Sequence, residues 1–244
     1  MHKYYKKKGK TTMTTFRNRL IAFGDSIIKG VVMEQQAERL RYKVNNESVT
    51  ALCSERLGLE EKNYAKFGCT VTIGERIVDN HLTDIQPRDI VLLEYGGNDG
   101  DYSWQDIARA PEIMHTTHTP LHSFREIYTR MIQKITDMGA TAVVLSLPPI
   151  DPDVYFRFFS QKMNDDERRN ILDWLDGNLS NITNGHELYN LETLRMAYTM
   201  NVPWVDITSP FLESRNYRSL LCQDGLHPNA AGQRLIADSI TRAL

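Results

Sequence analysis

Long apolar runs are missing from this 244-residue chain: no stretch approaches the roughly 18 apolar residues that a membrane helix needs, so no membrane span is expected. Cysteine is scarce. The three present, Cys53, Cys69 and Cys222, are odd in number and irregularly spaced, which fits neither a disulfide framework nor a zinc pattern. The nucleotide-binding patterns G-x-x-x-x-G-K-[ST] and G-x-G-x-x-G are absent. Acids are absent from the first 19 residues, which hold seven basic side chains. The whole chain stands at −2, so the remainder carries −9, and an acidic body disfavours a nucleic-acid partner. The basic head has no apolar segment behind it and does not read as a secretion signal. It is expected to be a disordered leader over residues 1–19, followed by a single domain over 20–244, in a cytoplasmic protein.

What is present is an alternation of short apolar runs with longer amphipathic stretches. Residues 19–23 (RLIAF) read as a buried strand ending at Gly24, 50–57 as a helix closed by Gly58, and 63–67 as a short strand before Gly68. A helix over 72–81 and a strong strand over 89–95 (DIVLLEY) follow. The clearest helix is 120–138, where Leu121, Phe124, Tyr128, Met131, Ile132, Ile135 and Met138 recur at spacings of three and four before Gly139. Further on come a strand over 141–147, helices over 165–175 and 187–200, and a strand over 202–207 weakened by Pro203. A helix over 229–244 closes the chain, with Pro228 suited to its first turn. Strands alternating with helices imply a mostly parallel sheet covered on both faces. Two segments break the alternation, 100–119 and 148–164. Both leave the carboxyl end of a strand, which is where ligands bind in open α/β sheets.

Four short motifs carry chemistry. In Gly24-Asp25-Ser26 a serine directly follows a strand, and a helix after it would point N–H groups at it; the same serine could equally be a helix N-cap. In Asp224-Gly225-Leu226-His227-Pro228 an acid three residues before a histidine can fold back on the ring, orient it and leave the other nitrogen free to accept a serine proton; a capping Asp and a surface His are the competing assignment. Gly96-Gly97-Asn98-Asp99 ends the strongest strand, and an amide there can donate to a developing oxyanion or simply form a turn. In 63–70 (NYAKFGCT), Gly68 lets the backbone approach a ligand, or serves a plain turn.

The order G-D-S, G, G-x-N-D, D-x-x-H resembles the block pattern of the SGNH (GDSL) hydrolase superfamily, from about Ile21 to the C-terminus. The resemblance implies a flavodoxin-like three-layer α/β/α sandwich on a five-stranded parallel sheet. It implies Ser26 as nucleophile, His227 as general base and Asp224 as its orienting partner. It also implies an oxyanion hole made by the Ser26 and Gly68 N–H groups and the Asn98 side chain. The G-x-S-x-G elbow of α/β-hydrolases does not occur around Ser26. The expected activity is hydrolysis of a small-molecule or carbohydrate ester, with a short acyl group such as acetyl because no apolar lid is visible. Acyl transfer through the same acyl-enzyme, or a silent binding module on the same fold, are the alternatives.

Asp25, Trp104, Tyr155 and Phe156 are candidate substrate contacts, since clefts favour aromatics with a few polar groups; a satellite core over the sheet would use the same rings. His115, His118 and His122 have a ligand-like spacing broken by Pro120, and no metal or other cofactor is expected. Glu94 is expected to point into a helix layer, which argues against a glycosidase carboxylate pair with Asp99.

Overall fold

The computed structural model describes residues 19–36 and 39–244. The expected basic leader lies outside the described residues except for Arg19, which is already the first residue of a strand. That strand, β1 (Arg19–Gly24), is buried on both faces. An antiparallel hairpin follows, β2 (Val31–Gln36) with β3 (Arg39–Val44). Helix α1 (Val49–Leu57) is capped by Ser48 and closed by Gly58 in the left-handed region. Then come β4 (Glu60–Asn63), α2 (Val71–His81), β5 (Ile90–Glu94) and α3 (Trp104–Arg109). The apolar stripe read over 120–138 forms α4 (Leu121–Asp137), which leads into β6 (Thr141–Leu145). Three helices, α5 (Pro152–Phe159), α6 (Asp165–Trp174) and α7 (Ser180–Met200), precede β7 (Trp204–Val205). A short α8 (Ser209–Leu212) and α9 (Ala230–Ala243) end the chain.

Five strands pair in parallel in the order β4-β1-β5-β6-β7, the doubly wound, flavodoxin-like order. Period-two alternation divides their side chains between two cores. Ile21, Phe23, Val91, Leu93 and Val144 pack with Val78, Tyr128 and Met196 from α2, α4 and α7. Leu20, Ala22, Leu92 and Val143 face Cys53 from α1 and Ile236 and Ile240 from α9. A satellite core of Ile107, Ile150, Phe156, Ile171 and Ile182 gathers α3, α5, α6 and the start of α7. Among the described residues, no helix is long and apolar enough to cross a membrane.

Several expected boundaries move. The strand read over 63–67 lies at Glu60–Asn63. It is a sheet edge, so a polar EEKN segment suffices, and the more apolar residues after it form a loop that still bonds β1 through Tyr64 N–H to Ala22 O (2.8 Å). Helix α7 begins at Ser180 rather than 187; its polar first turns are held by buried Ile182 and His186. The last strand contracts from 202–207 to Trp204–Val205: Pro203 has no N–H to pair at its start, and Ile207 N–H donates to Ser146 Oγ (2.7 Å) beyond its end. Pro228 lies outside the last helix, whose N-cap is Asn229. The two irregular excursions contain α3 and α5, and the β2–β3 hairpin occupies a stretch to which the periodicity assigned nothing.

One interior glycine has a packing cause. A Cβ on Gly74, in α2, would lie 2.5 Å from the ring of Tyr95, which is fully buried. Gly74→Ala is therefore expected to destabilise the fold by roughly 1–3 kcal/mol despite alanine's better helix propensity. Urea denaturation checks this, and a midpoint at or above that of the parent contradicts it.

Candidate active site

The strand order reverses between β1 and β5, and the crevice at such a switch point is where doubly wound sheets bind ligands. Ser26 leaves the end of β1 there. No helix follows it. Lys29 N–H donates to Asp25 O (3.1 Å) and Gly30 N–H to Ile27 O (3.0 Å). Gly30, at φ 82°, then turns the chain into β2, so the expected helix N-terminus behind the serine is replaced by a tight turn.

Asp224 and His227 approach from the loop before α9. The loop is closed by Cys222 N–H donating to His227 O (2.7 Å) and by left-handed Gly225 (φ 71°). His227 Nδ1–H donates to Asp224 Oδ2 (2.7 Å), which fixes the tautomer, and Nε2 then accepts from Ser26 Oγ at 2.8 Å. All three are buried, Ser26 at 5%, Asp224 at 1% and His227 at 2% exposure. Asp224 Oδ1 also accepts the backbone N–H groups of Leu226 and His227. Burial pushes the Asp224 carboxyl up, but the hydrogen bond and charge of His227 outweigh it and hold the group below its ordinary value. An ionised Asp, an oriented imidazole and a hydroxyl in line can deprotonate that hydroxyl as it attacks a carbonyl.

Asn98 follows β5. Its Nδ2 donates to Asp25 Oδ2 at 2.7 Å, while Asp25 Oδ1 accepts from Ile27 N–H (2.8 Å). The second Asn98 N–H is left for another acceptor. Gly68, at φ 65°, lies in the loop beside the end of β1, where Lys66 N–H donates to Gly24 O (3.0 Å). The Gly68 N–H makes no hydrogen bond among the described residues. Glu94, expected to point into a helix layer, is the last residue of β5 and borders the crevice with Asp25. Both its carboxyl oxygens are buried without a partner, and burial together with the neighbouring Asp25 holds the group well above its ordinary value, in the neutral form.

Asp99 faces the other way and accepts Val71 N–H (2.9 Å) at the start of α2. Burial, against the Thr119 hydroxyl and Val71 N–H, raises its carboxyl to about 7. The native state therefore binds one more proton than the unfolded chain between about pH 4 and 7, and this group's contribution to stability falls as pH rises through that window. Asp99→Asn is expected to gain stability relative to the parent by on the order of 2 kcal/mol on going from pH 5 to pH 8. Denaturation curves at both pH values check it; a difference independent of pH contradicts it.

The hairpin, to which the sequence reading assigned no strand, covers the imidazole. Tyr42 OH donates to Asp224 Oδ2 (3.1 Å), its phenol pushed up by burial and by the Asp224 charge. The Tyr42 ring lies 5.1 Å from the His227 ring, and the Phe67 ring stacks on His227 at 5.9 Å and 12°. Tyr42 and Phe67 remain 40% and 49% exposed. On the other side of Ser26 is a cavity of about 220 Å³. Asp25, Trp104 and Tyr155 line it, and Phe156 does not; Phe156 packs in the satellite core against Phe159. Two further cavity residues, Trp174 and His186, come from segments read only as helix or loop. The three spaced histidines stay apart: His115 bonds Ala110 O, His118 bonds Asn98 O and His122 pairs with Glu126.

A buried Ser-His-Asp chain at the switch point of a 2-1-3-4-5 sheet defines the class of protein. The chain belongs to the GDSL-like lipase/acylhydrolase family, whose model matches residues 22–235. Solved structures share the fold. A lipase/acylhydrolase from Enterococcus faecalis is 17% identical, with a TM-score of 0.58 over 92% of this chain and 94% of that one. A carbohydrate acetylesterase from Sinorhizobium meliloti is 15% identical, with 0.62 over 93% and 97%. An acetyl-xylooligosaccharide esterase from Geobacillus is 16% identical, with 0.61 over 93% of each. Comparison with curated protein sequences yields no match.

Proposed function

We propose that the protein is a serine ester hydrolase that works through an acyl-Ser26 intermediate. The observation that carries this reading is the hydrogen-bonded chain Ser26 Oγ–His227–Asp224, at 2.8 and 2.7 Å. His227 Nε2 takes the Ser26 proton as Oγ bonds to the ester carbonyl carbon. The carbonyl oxygen becomes an oxyanion held by the free N–H of Asn98 and by the Ser26 and Gly68 N–H groups. The imidazolium, balanced by Asp224, returns the proton to the leaving alcohol as the C–O bond breaks. Water then attacks the acyl-enzyme by the same route, and acid and Ser26 are released.

The leaving oxygen must meet His227 Nε2, so the alcohol lies toward Tyr42 and Phe67. Exposed rings of that kind suit a sugar or other polyol. The names of two structural neighbours, as esterases of acetylated carbohydrates, agree with this alcohol class. A fluorophosphonate, which phosphonylates only an activated serine, tests the reading on the purified chain. Stoichiometric mass addition on the peptide carrying Ser26 supports it. No addition, with Ser26 accessible and the protein folded, identifies a binding module instead.

A further inference from the structure

The cavity beside Ser26, at about 220 Å³, far exceeds an acetyl methyl, which is close in size to a water; one water needs roughly 10–15 Å³. Its position assigns it to the acyl rather than the alcohol half of an ester. Ser26 and Asn98 border it, whereas His227, which must face the leaving oxygen, does not. Its walls are aromatic. Tyr102, Trp104, Tyr155 and Trp174 contribute, and they are held by ring contacts: Trp104 stacks on Phe159 at 4.8 Å and 11°, and Trp174 meets Tyr102 edge-on at 5.0 Å. Tyr155 OH and Trp104 Nε1 both donate to Asp101 (2.6 and 2.8 Å), so their polar atoms are already engaged and the rings stand in place.

His186 brings an unpaired acceptor to this wall. His186 is buried, and its Nε2 lies 3.0 Å from the Pro148 carbonyl oxygen. A carbonyl only accepts, so Nε2 carries the hydrogen. Burial holds the imidazole below its ordinary value, which keeps the ring neutral and leaves Nδ1 as a bare lone pair. Nδ1 has no hydrogen-bond partner among the described residues and is not sealed from solvent, and His186 lines the cavity. A plain alkyl chain filling this space would strand that acceptor, at a cost of about 1–3 kcal/mol. An acyl group with a hydroxyl would satisfy it.

We propose that this cavity is the acyl subsite and that it takes a phenolic acyl group, the aromatic ring lying among Tyr102, Trp104 and Trp174 and its hydroxyl donating to His186 Nδ1. The inference rests on the ester-hydrolase reading above and names its substrate class: esters of hydroxylated aromatic acids, cleaved to the phenolic acid and the alcohol.

The test compares kcat/KM for methyl acetate, methyl cinnamate and methyl 4-hydroxycinnamate, with fluorophosphonate labelling of Ser26 run in parallel. The expected order places both aromatic esters above acetate and the hydroxylated one on the order of tenfold or more above cinnamate. In His186→Leu the hydroxylated-to-plain ratio is expected to fall to near one. If that variant fails to fold, the ratio in the unsubstituted protein decides alone. Acetate as the best substrate, or a ratio near one in the unsubstituted protein, overturns the phenolic subsite; with Ser26 still labelled, such a result leaves the hydrolase reading standing. No cleavage of any ester together with no labelling overturns both.

Discussion

Ser26→Ala is expected to lower kcat for p-nitrophenyl ester hydrolysis by on the order of 10⁴–10⁶, and His227→Ala by a similar factor, while the double variant loses little more. The reason is the geometry of a single proton path. Ser26 Oγ has one basic partner, His227 Nε2 at 2.8 Å, and without it the hydroxyl attacks at its unassisted reactivity. Without the hydroxyl, the base has nothing to activate. Asp224→Asn belongs to the same series with a loss of about 10⁴, because an amide can present a donor to Nδ1 and favour the wrong tautomer. The fold should survive the serine change, since among the described residues Ser26 Oγ hydrogen-bonds only to the imidazole. Initial rates with acetate, butyrate and octanoate esters, beside circular dichroism of each variant, supply the check. Losses that multiply in the double variant, or a Ser26→Ala protein that keeps its rate, would remove Ser26 and His227 from the proton path.

Much of this site was legible because its parts sit where short motifs meet strand ends. RLIAF and DIVLLEY are apolar on both faces, which only an interior parallel strand sustains, and Ser26 and Asn98 follow them directly. The D-x-x-H spacing closes in one turn through Gly225, so its geometry is local. The hairpin was not legible by the same route. In 39–44 (RLRYKV) the alternation is strict, a strand signal in itself. It nonetheless belongs to a two-stranded ribbon outside the main sheet, with Leu40, Tyr42 and Val44 all substantially exposed. Nothing local tells Tyr42 to reach Asp224, 182 positions further on.

The cavity was half legible for a related reason. Trp104 and Tyr155 stood out as aromatics in irregular segments, and they do line it. Phe156, one residue along the same helix, turns to the satellite core, a choice of face that rests on how α5 sits against α6 and α7. His186 lies in a polar SNITNGH stretch with weak helix propensity, where only tertiary packing makes the first turns of α7. Glu94 follows the alternation of β5, but its place beside Asp25 at the crevice is set by packing rather than by the local pattern.

Asn98→Ala carries the second large effect: kcat is expected to fall by about 10²–10³ with KM little changed, since the donor acts on charge that exists only in the transition state. Asp25 shapes this effect from beneath. Its Oδ2 accepts one Asn98 N–H at 2.7 Å, and because a carboxylate only accepts, it fixes which end of the amide points where and leaves the second N–H toward the crevice. Asp25→Asn removes that constraint. Its amide can present N–H to N–H, and Asn98 is then free to turn its carbonyl toward the oxyanion. A loss of roughly tenfold in kcat is expected, smaller than for deleting Asn98, because the correct orientation is still sampled. If Asp25 acts through Asn98, its substitution costs nothing further once Asn98 is alanine, so the Asp25→Asn/Asn98→Ala protein should match Asn98→Ala. Losses that add in full would instead assign Asp25 to the Ser26 turn, which it also holds through Ile27 N–H at 2.8 Å. The double-variant comparison thus separates a residue that aims the oxyanion donor from one that shapes the nucleophile's backbone.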